Sequence, residues 1–586
     1  MTYDIIIISG DTYVDHPSFG AALIRRYLEK HGFSVGVIDQ PRHVAAIQTL
    51  GKPRLFFAVT AGNLDSMVAN YTADKKVRRN DMYSPNNEAG HRPDRACIVY
   101  TNKLKQAFPG APIILGGVEA SLRRFAHYDF WDDKVRRSIL FDSKADMIAY
   151  GMSENAIVEI AQRAQDTCTE QSRGVAPQHG IPNTCIITRD VSPYATALRI
   201  PSYEEVSTDK NKFAEAHRLY TTELCKKHPR TIIQPCLPAG KAGQGRYLVV
   251  FPPKPLLQKD FESIFKLPFT RKSEKNVPAY DFVKFSTISH RGCFGGCSFC
   301  AINQHQGKYI LSRGIESIKE EVQDIIMKQP DFKGQILDIG GPSANMYQMT
   351  CTKKDGCSRR SCIYLPDRRP GDVTQPSICK HLNSSHKPLL QLLRELRGIP
   401  GIKNVYINSG IRYDLAMTDP EYTEEIIKYH ISGQLSVAPE HICEEVLLLM
   451  GKPKYSVYEK FQKEFNRLTK KAGKKQYLIP YLIASHPGST LEHALEMALF
   501  LKKNHIRVQQ VQNFTPTPMT TSTCMYYTGI DPFTGKNVHV PKSEERSMQR
   551  ALLQPHTAKN YRIVAKALIK LQKQDLVKFL TSNPDI

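Results

Sequence analysis

The chain has 586 residues, 41% hydrophobic and 23% charged, a composition ordinary for a globular protein of two or three domains. Its 80 Lys and Arg against 57 Asp and Glu give a formal charge of +23, which suits either a solvated surface or a polyanionic partner such as nucleic acid. No apolar run reaches the ~18 residues of a membrane span, and the 14 cysteines favour free thiols and metal ligation over a disulfide framework.

The first segment, 4–9, is a short apolar run without a basic flank. It reads as a strand rather than a signal peptide, so a cytoplasmic protein is expected. A helix follows over 19–31, with Phe19, Leu23, Tyr27 and Leu28 on one face and Gly32 closing it. Strands at 35–38, 55–59 and 112–115 repeat the alternation, with Gly62, Gly116 and Gly117 just past their ends. This predicts a doubly wound α/β domain over 1–165, with ligands beyond the carboxyl ends of its strands. The order Asp15-His16-Pro17-Ser18-Phe19-Gly20 does not match the Asp-x-His-x-x-Gly pattern that places a histidine on cobalt, and it reads as a turn before the helix. Gly10 and Gly20 likewise miss the dinucleotide spacing. Over 166–278 the pattern weakens. A helix at 209–226 lies among Pro- and Gly-rich loops, and a connector packing on both halves is expected.

From 279 to about 550 the alternation returns. Strands are predicted at 282–287, 335–339, 404–408, 434–437, 476–483 and 508–513, with helices at 315–328, 388–397, 421–430, 457–471 and 491–503. Six strand–helix units make a partial (β/α)6 barrel, whose active site belongs at the carboxyl ends of the strands. Past strand one comes Cys293-Phe294-Gly295-Gly296-Cys297-Ser298-Phe299-Cys300. Three thiolates at C-x3-C-x2-C suit a four-iron cluster with one iron left open, and Gly292, Gly295 and Gly296 let the backbone curl around it. Phe299 offers an aromatic face to a purine. A zinc knuckle is the alternative, but His290 and His305 break its usual spacing.

Other strands end in Gly340-Gly341-Pro342-Ser343, Ser409-Gly410-Ile411-Arg412, Pro439-Glu440-His441 and Ser485-His486-Pro487-Gly488, so polar and glycine residues gather at one end. His441 and His486 read as acids or bases, or equally as structural histidines. A second thiol group, Cys351, Cys357, Cys362 and Cys379, lies in an insertion after strand two with Lys353, Lys354, Arg359, Arg360, Arg368 and Arg369. Four thiolates suit a structural zinc or an auxiliary iron–sulfur cluster, with unmetallated thiols as the alternative. Cys97, Cys168, Cys185, Cys225, Cys236, Cys443 and Cys524 have no grouping and read as packing residues. The tail, 551–586, carries Ile563, Ala567 and Leu571 at helical spacing and is expected to dock on the barrel.

The cysteine triplet resembles the signature of radical S-adenosylmethionine (SAM) enzymes. Further runs extend the resemblance over most of the chain: Gly10-Asp11-Thr12-Tyr13-Val14-Asp15-His16, Gly116-Gly117-Val118-Glu119-Ala120-Ser121, Asp142-Ser143-Lys144-Ala145-Asp146, Gly340-Gly341-Pro342-Ser343-Ala344-Asn345, Ala438-Pro439-Glu440-His441 and Tyr477-Leu478-Ile479-Pro480-Tyr481. Together they are similar to the YgiQ family of bacterial radical SAM proteins. The resemblance implies a radical SAM barrel, a [4Fe–4S] cluster on Cys293, Cys297 and Cys300, SAM as an exchangeable cofactor and an electron-donor protein as partner. It implies backbone contact of Gly340 and Gly341 with the methionine of SAM, Arg412 on its carboxylate, and Ser409 or Glu440 on the ribose. Pro342 stands where related enzymes carry Glu, which leaves the methionine amine without a partner. The substrate is unknown. An RNA- or nucleotide-modifying enzyme of the same class and a non-catalytic iron–sulfur electron carrier are the alternatives, and no membrane partner is expected.

Overall fold

Ile5, Ile6, Ile7 and Ile8 are all buried, which requires a strand covered on both faces. Their side chains alternate between two cores, Ile6 and Ile8 on one side and Ile5 and Ile7 on the other. In the computed structural model, which describes residues 2–169, 180–236, 245–353, 356–363, 378–504, 506, 508 and 511–582, this strand lies inside a nine-stranded sheet.

The sheet is built from β1 (Ile5–Ser9), β2 (Val35–Asp39), β3 (Phe56–Thr60), β4 (Ile113–Gly116), β5 (Met147–Ala149), β6 (Thr184–Thr188), β7 (Leu198–Arg199), β8 (Ile232–Cys236) and β9 (Arg246–Val250). Their spatial order is β2-β1-β3-β4-β5-β6-β9-β8-β7. The first five run parallel. From there β6, β9 and β8 alternate antiparallel. Helices α1 (Gly20–Lys30), α2 (Ala96–Ala107), α3 (Glu154–Thr169) and α4 (Lys210–Leu224) accompany the strands. The segment expected as a connector therefore supplies four strands, β6 to β9, to the sheet itself.

The second half carries the barrel strands β10 (Ser286–Ile288), β11 (Asp338–Gly340), β12 (Asn404–Val405), β13 (Gln434–Glu440), β14 (Tyr477–Ala484) and β15 (Val511–Asn513). All observed ladders are parallel: β10 with β11, the adjoining Gln335–Ile336 with β12, and β13-β14-β15. The α/β N-terminal domain and the partial radical SAM barrel are as the sequence predicts. One element differs. The first two residues of the strand expected over 282–287 end the helix Pro278–Val283, because Pro278 sits at its first position and Asp281 in its first turn, both favourable at a helix start. Phe282 is left 66% exposed on it.

Buried ion pairs join the halves. Glu321 is held by Arg271 and Arg313, all three buried, and also accepts from Thr287. Glu154 at the start of α3 pairs with Arg291, two residues before Cys293. After α5 (Ile302–Gln306) and α6 (Lys387–Arg397), the barrel helices α7 (Tyr455–Lys471) and α8 (Leu491–Lys503) complete the outer layer. The C-terminal helices α9 (Ser543–Leu553), α10 (Tyr561–Lys570) and α11 (Leu576–Thr581) share one apolar cluster with α8, through Leu552, Val564, Leu568, Leu580 and Leu491. No helix among the described residues is long and apolar enough to cross a membrane. Residues 237–244, Lys354, Arg368, Arg369 and the side chain of Cys168 lie outside the described residues.

Candidate active site

The cysteine loop leaves the carboxyl end of β10 and is pinned on both sides. Cys293 N donates to Gly307 O at 3.1 Å, and Ser298 N donates to Met450 O at 2.9 Å. Gly296 has φ of +61°, and a Cβ there would lie 2.6 Å from Ser361 Cβ, so both conformation and space demand glycine. Burial and then the neighbouring Cys297 push the Cys293 thiol up. Burial, with Cys297 and Cys293, pushes Cys300 up to about 12. The three sulfurs thus lie within mutual electrostatic reach. No three His, Cys, Asp or Glu side chains among the described residues are drawn close enough to share one metal ion. A polynuclear cluster fits this donor set better than zinc, because each thiolate binds a different iron.

Arg412 approaches the loop, its Nη1 3.5 Å from Cys297 Sγ. Its Nε and Nη2 form a bidentate pair with Asp414 at 3.0 and 2.5 Å. Burial would lower its pKa, but the Asp414 carboxylate outweighs burial and the net shift is upward. Only Nη1 therefore faces the cluster side. Glu440, at the end of β13, is buried with φ of +68°, next to a register shift in the β13–β14 ladder. Such a conformation in a non-glycine residue is a mark of functional strain. Burial pushes its carboxyl up against the pull of Lys452, 3.8 Å away, and Arg412.

Ser409 donates to Asp338, which also accepts from Ser409 N at 3.0 Å and Asn408 N at 2.8 Å. Burial pushes Asp338 up against these bonds. This carboxylate escaped the sequence reading because it lies mid-strand, and only the fold brings β11 beside residue 409. Gly341 has no room for a Cβ, which would meet the His290 ring. Packing on His290 is thus a sufficient reason for that glycine. His441 and His486 are fully buried, engaged with Cys443 N and Ser489, and with Pro487 O and Ser522, and burial pulls both down to about 3. They read as neutral structural histidines. Phe299 packs with Val446 and Leu447 and sets its ring edge-on to His486. His16 is buried against Ser18 N and Arg271, which leaves it no open face for cobalt.

A cavity of about 560 Å³ opens where β1, β3, β4 and β5 end, and α5, just past Cys300, forms its far wall. Ile24, Ile114, Ile157, Ile288 and Ile302 give it apolar walls, and His305 is one of its polar linings with Asn63, Glu154, Arg291 and Gln306. The His305 tautomer follows from its neighbours. Ser121 Oγ donates to Gly117 O at 2.8 Å, so it accepts from Gly151 N and from His305 Nδ1, each at 3.0 Å. Burial pulls the ring down to about 4, which keeps it neutral. Its single N–H is on Nδ1, and Nε2 keeps a lone pair in the cavity wall. The sequence reading had considered His305 only as a zinc ligand.

Cys351, Cys357, Cys362 and Cys379 gather on the other side of the same loop. Cys362 N donates to Phe294 O at 3.0 Å, and Cys379 N to Cys362 O at 2.8 Å. Burial, then Cys357 and Cys379, push Cys362 up to about 12. Cys225, expected as a packing residue, is within reach of Cys357.

Comparison with known proteins places the chain in a family. Residues 1–286 match the Radical SAM N-terminal family, 287–501 the Radical SAM superfamily and 509–581 a domain of unknown function, DUF3362. A UPF0313 protein of Methanocella arvoryzae is 47% identical over 98% of this chain and 94% of its own length. One from Clostridium botulinum is 46% identical over 98% and 88%. These relatives include archaea, so the family is not confined to bacteria, as the sequence reading had it. The solved radical SAM methyltransferase TsrM from Kitasatospora setae, with cobalamin and a [4Fe–4S] cluster bound, shares the fold at 13% identity, with a TM-score of 0.50 over 90% of this chain and 76% of that one.

Proposed function

This chain belongs to the UPF0313, YgiQ-like family of radical SAM proteins and is an enzyme, and on that premise we propose that Cys293, Cys297 and Cys300 hold a [4Fe–4S] cluster that activates SAM. The observation that carries the reading is the trio Cys293, Cys297 and Cys300 on one strand-end loop, with Arg412 Nη1 3.5 Å from Cys297 Sγ. When bound, such a cluster supplies the electron that cleaves SAM to methionine and a 5′-deoxyadenosyl radical, which takes hydrogen from a substrate.

The chain's own residues bind and orient. Arg412, fixed by Asp414, offers Nη1 to the SAM carboxylate. Gly340 and Gly341 present backbone to the methionine, Glu440 accepts from the ribose or the amine, and Ser409 acts through Asp338. The half-buried setting of Cys293, Cys297 and Cys300 would limit the access of water to the cluster. The apolar cavity beyond the N-terminal strands is the substrate chamber, with His305 Nε2 as its hydrogen-bond acceptor. Family membership favours an enzyme over an electron carrier. The charge of +23 supports an RNA-modifying variant of the same reading, whose mark is binding that weakens steeply with salt.

The test is anoxic reconstitution with SAM and a chemical reductant. The wild-type protein is expected to release 5′-deoxyadenosine and methionine, and Cys297→Ala to release neither. Equal cleavage by both would remove the assignment.

A further inference from the structure

The insertion after β11 is organised around its thiols. The short strand Thr350–Cys351 pairs with Leu382–Asn383, and Leu382 N donates to Cys379 O at 2.9 Å. Cys379 is tied to Cys362, and Cys362 to the first cysteine loop. Ser361 Oγ donates toward Gly295 O at 2.7 Å, so the two loops form one hydrogen-bonded unit. The apolar residues supporting this unit are few, chiefly Phe294, Met346, Met349, Ile363 and Leu415. A segment with so little core needs another source of order.

A second observation points at the same spot. Lys308 is only 6% exposed. Its Nζ donates to Cys357 O at 2.8 Å and Arg359 O at 3.0 Å, and stands 3.9 Å from Cys357 Sγ. No carboxylate pairs with it among the described residues, although a buried lysine is rarely left without an anion. Among the described residues the acidic group beside it is the Cys357 thiol.

We propose that Cys351, Cys357, Cys362 and Cys379 ligate a second, four-iron iron–sulfur cluster, and that Lys308 is the countercharge to it. Four thiolates on a four-iron cube leave a net negative charge, which a single buried ammonium partly offsets. Zinc is the poorer fit. Bonds of ~2.3 Å would bring four sulfurs to about 3.8 Å from one another. No three of the described thiols are gathered closely enough to share one ion. On a cube each sulfur takes its own iron and stands further from the others. The set is closed, with no vacant iron for SAM, in contrast to the trio at Cys293, Cys297 and Cys300. The inference does not depend on SAM cleavage.

The experiment uses the full chain with all three first-loop cysteines changed, Cys293→Ala, Cys297→Ala and Cys300→Ala, reconstituted without oxygen. About four irons and four sulfides per chain are expected to remain, with a reduced-cluster resonance that SAM does not alter. Circular dichroism reports whether this variant is folded. Adding Cys357→Ala and Cys362→Ala is expected to abolish that iron. Lys308→Met in the triple variant is expected to lower the midpoint potential of the remaining cluster, because a positive charge beside it is lost. A folded triple variant holding zinc, or no metal, would overturn the proposal.

Discussion

His305 shows how one residue's chemistry is set by its neighbours. Its ring is neutral because burial pulls its pKa to about 4, and its lone pair is on Nε2 because Nδ1 keeps its proton and donates it to Ser121 Oγ. An ordinary histidine becomes protonated, and so unreactive to acylation, below about pH 6.5. His305 keeps its free base down to about pH 4. Diethyl pyrocarbonate at pH 5, followed by peptide mass mapping, is expected to label His305, which lines the cavity, well above His441 and His486, which are also neutral but fully buried. A His305 peptide unmodified at pH 5 would contradict the assigned tautomer and charge. Residues of this kind were only partly legible in the sequence. The three cysteines proposed as ligands could be singled out because their pattern lies within eight residues. Arg412 could be read from its place after a strand, but not its engagement by Asp414. Glu440 could be read from its place at a strand end, but not its left-handed backbone, and Asp338 could not, because it acquires its meaning from a neighbouring strand.

At the scale of elements, the long apolar runs were legible and the short pairings were not. The run at β1 declares itself, since four consecutive isoleucines must be covered on both faces. Strands β6 to β9 are two to five residues long and pair across loops of Pro and Gly, so no local period marks them. The helix Pro278–Val283 was missed for the opposite reason, its Phe and Val content suggesting a strand. The helix that begins at Ile315 carries Glu321, the carboxylate between Arg271 and Arg313. Burial alone would raise its pKa, but the two guanidiniums outweigh it and hold it at about 2 against an ordinary 4.5. A depressed folded value stabilises above the unfolded value and loses that stabilisation as pH falls through the folded one. Roughly 3 kcal/mol should therefore be present above about pH 4.5 and vanish toward pH 2. Glu321→Gln leaves two buried cations short of an anion and is expected to cost about 3–5 kcal/mol at pH 7. Chemical denaturation of both proteins from pH 7 to pH 3 checks this. The gap between them should narrow in acid, and a constant gap would contradict the pairing.

At the scale of the whole molecule, the two halves meet around the cysteine loop. Arg291, just before Cys293, is held by Glu154 from the N-terminal domain, and α5, just after Cys300, walls the cavity at the sheet's edge. The sequence foresaw both halves, since each has its own alternation of strands and helices. It did not show the chamber between them, because its walls come from segments more than a hundred residues apart. On the proposed function, the N-terminal sheet would present a substrate to a radical generated at the cysteine loop. The measurement that tests this centre most directly is the electron paramagnetic resonance of the reduced, anoxically reconstituted protein before and after SAM is added. The wild-type spectrum is expected to contain one cluster signal that SAM shifts, and Cys297→Ala to lack it. A wild-type spectrum that SAM leaves unchanged would contradict the account.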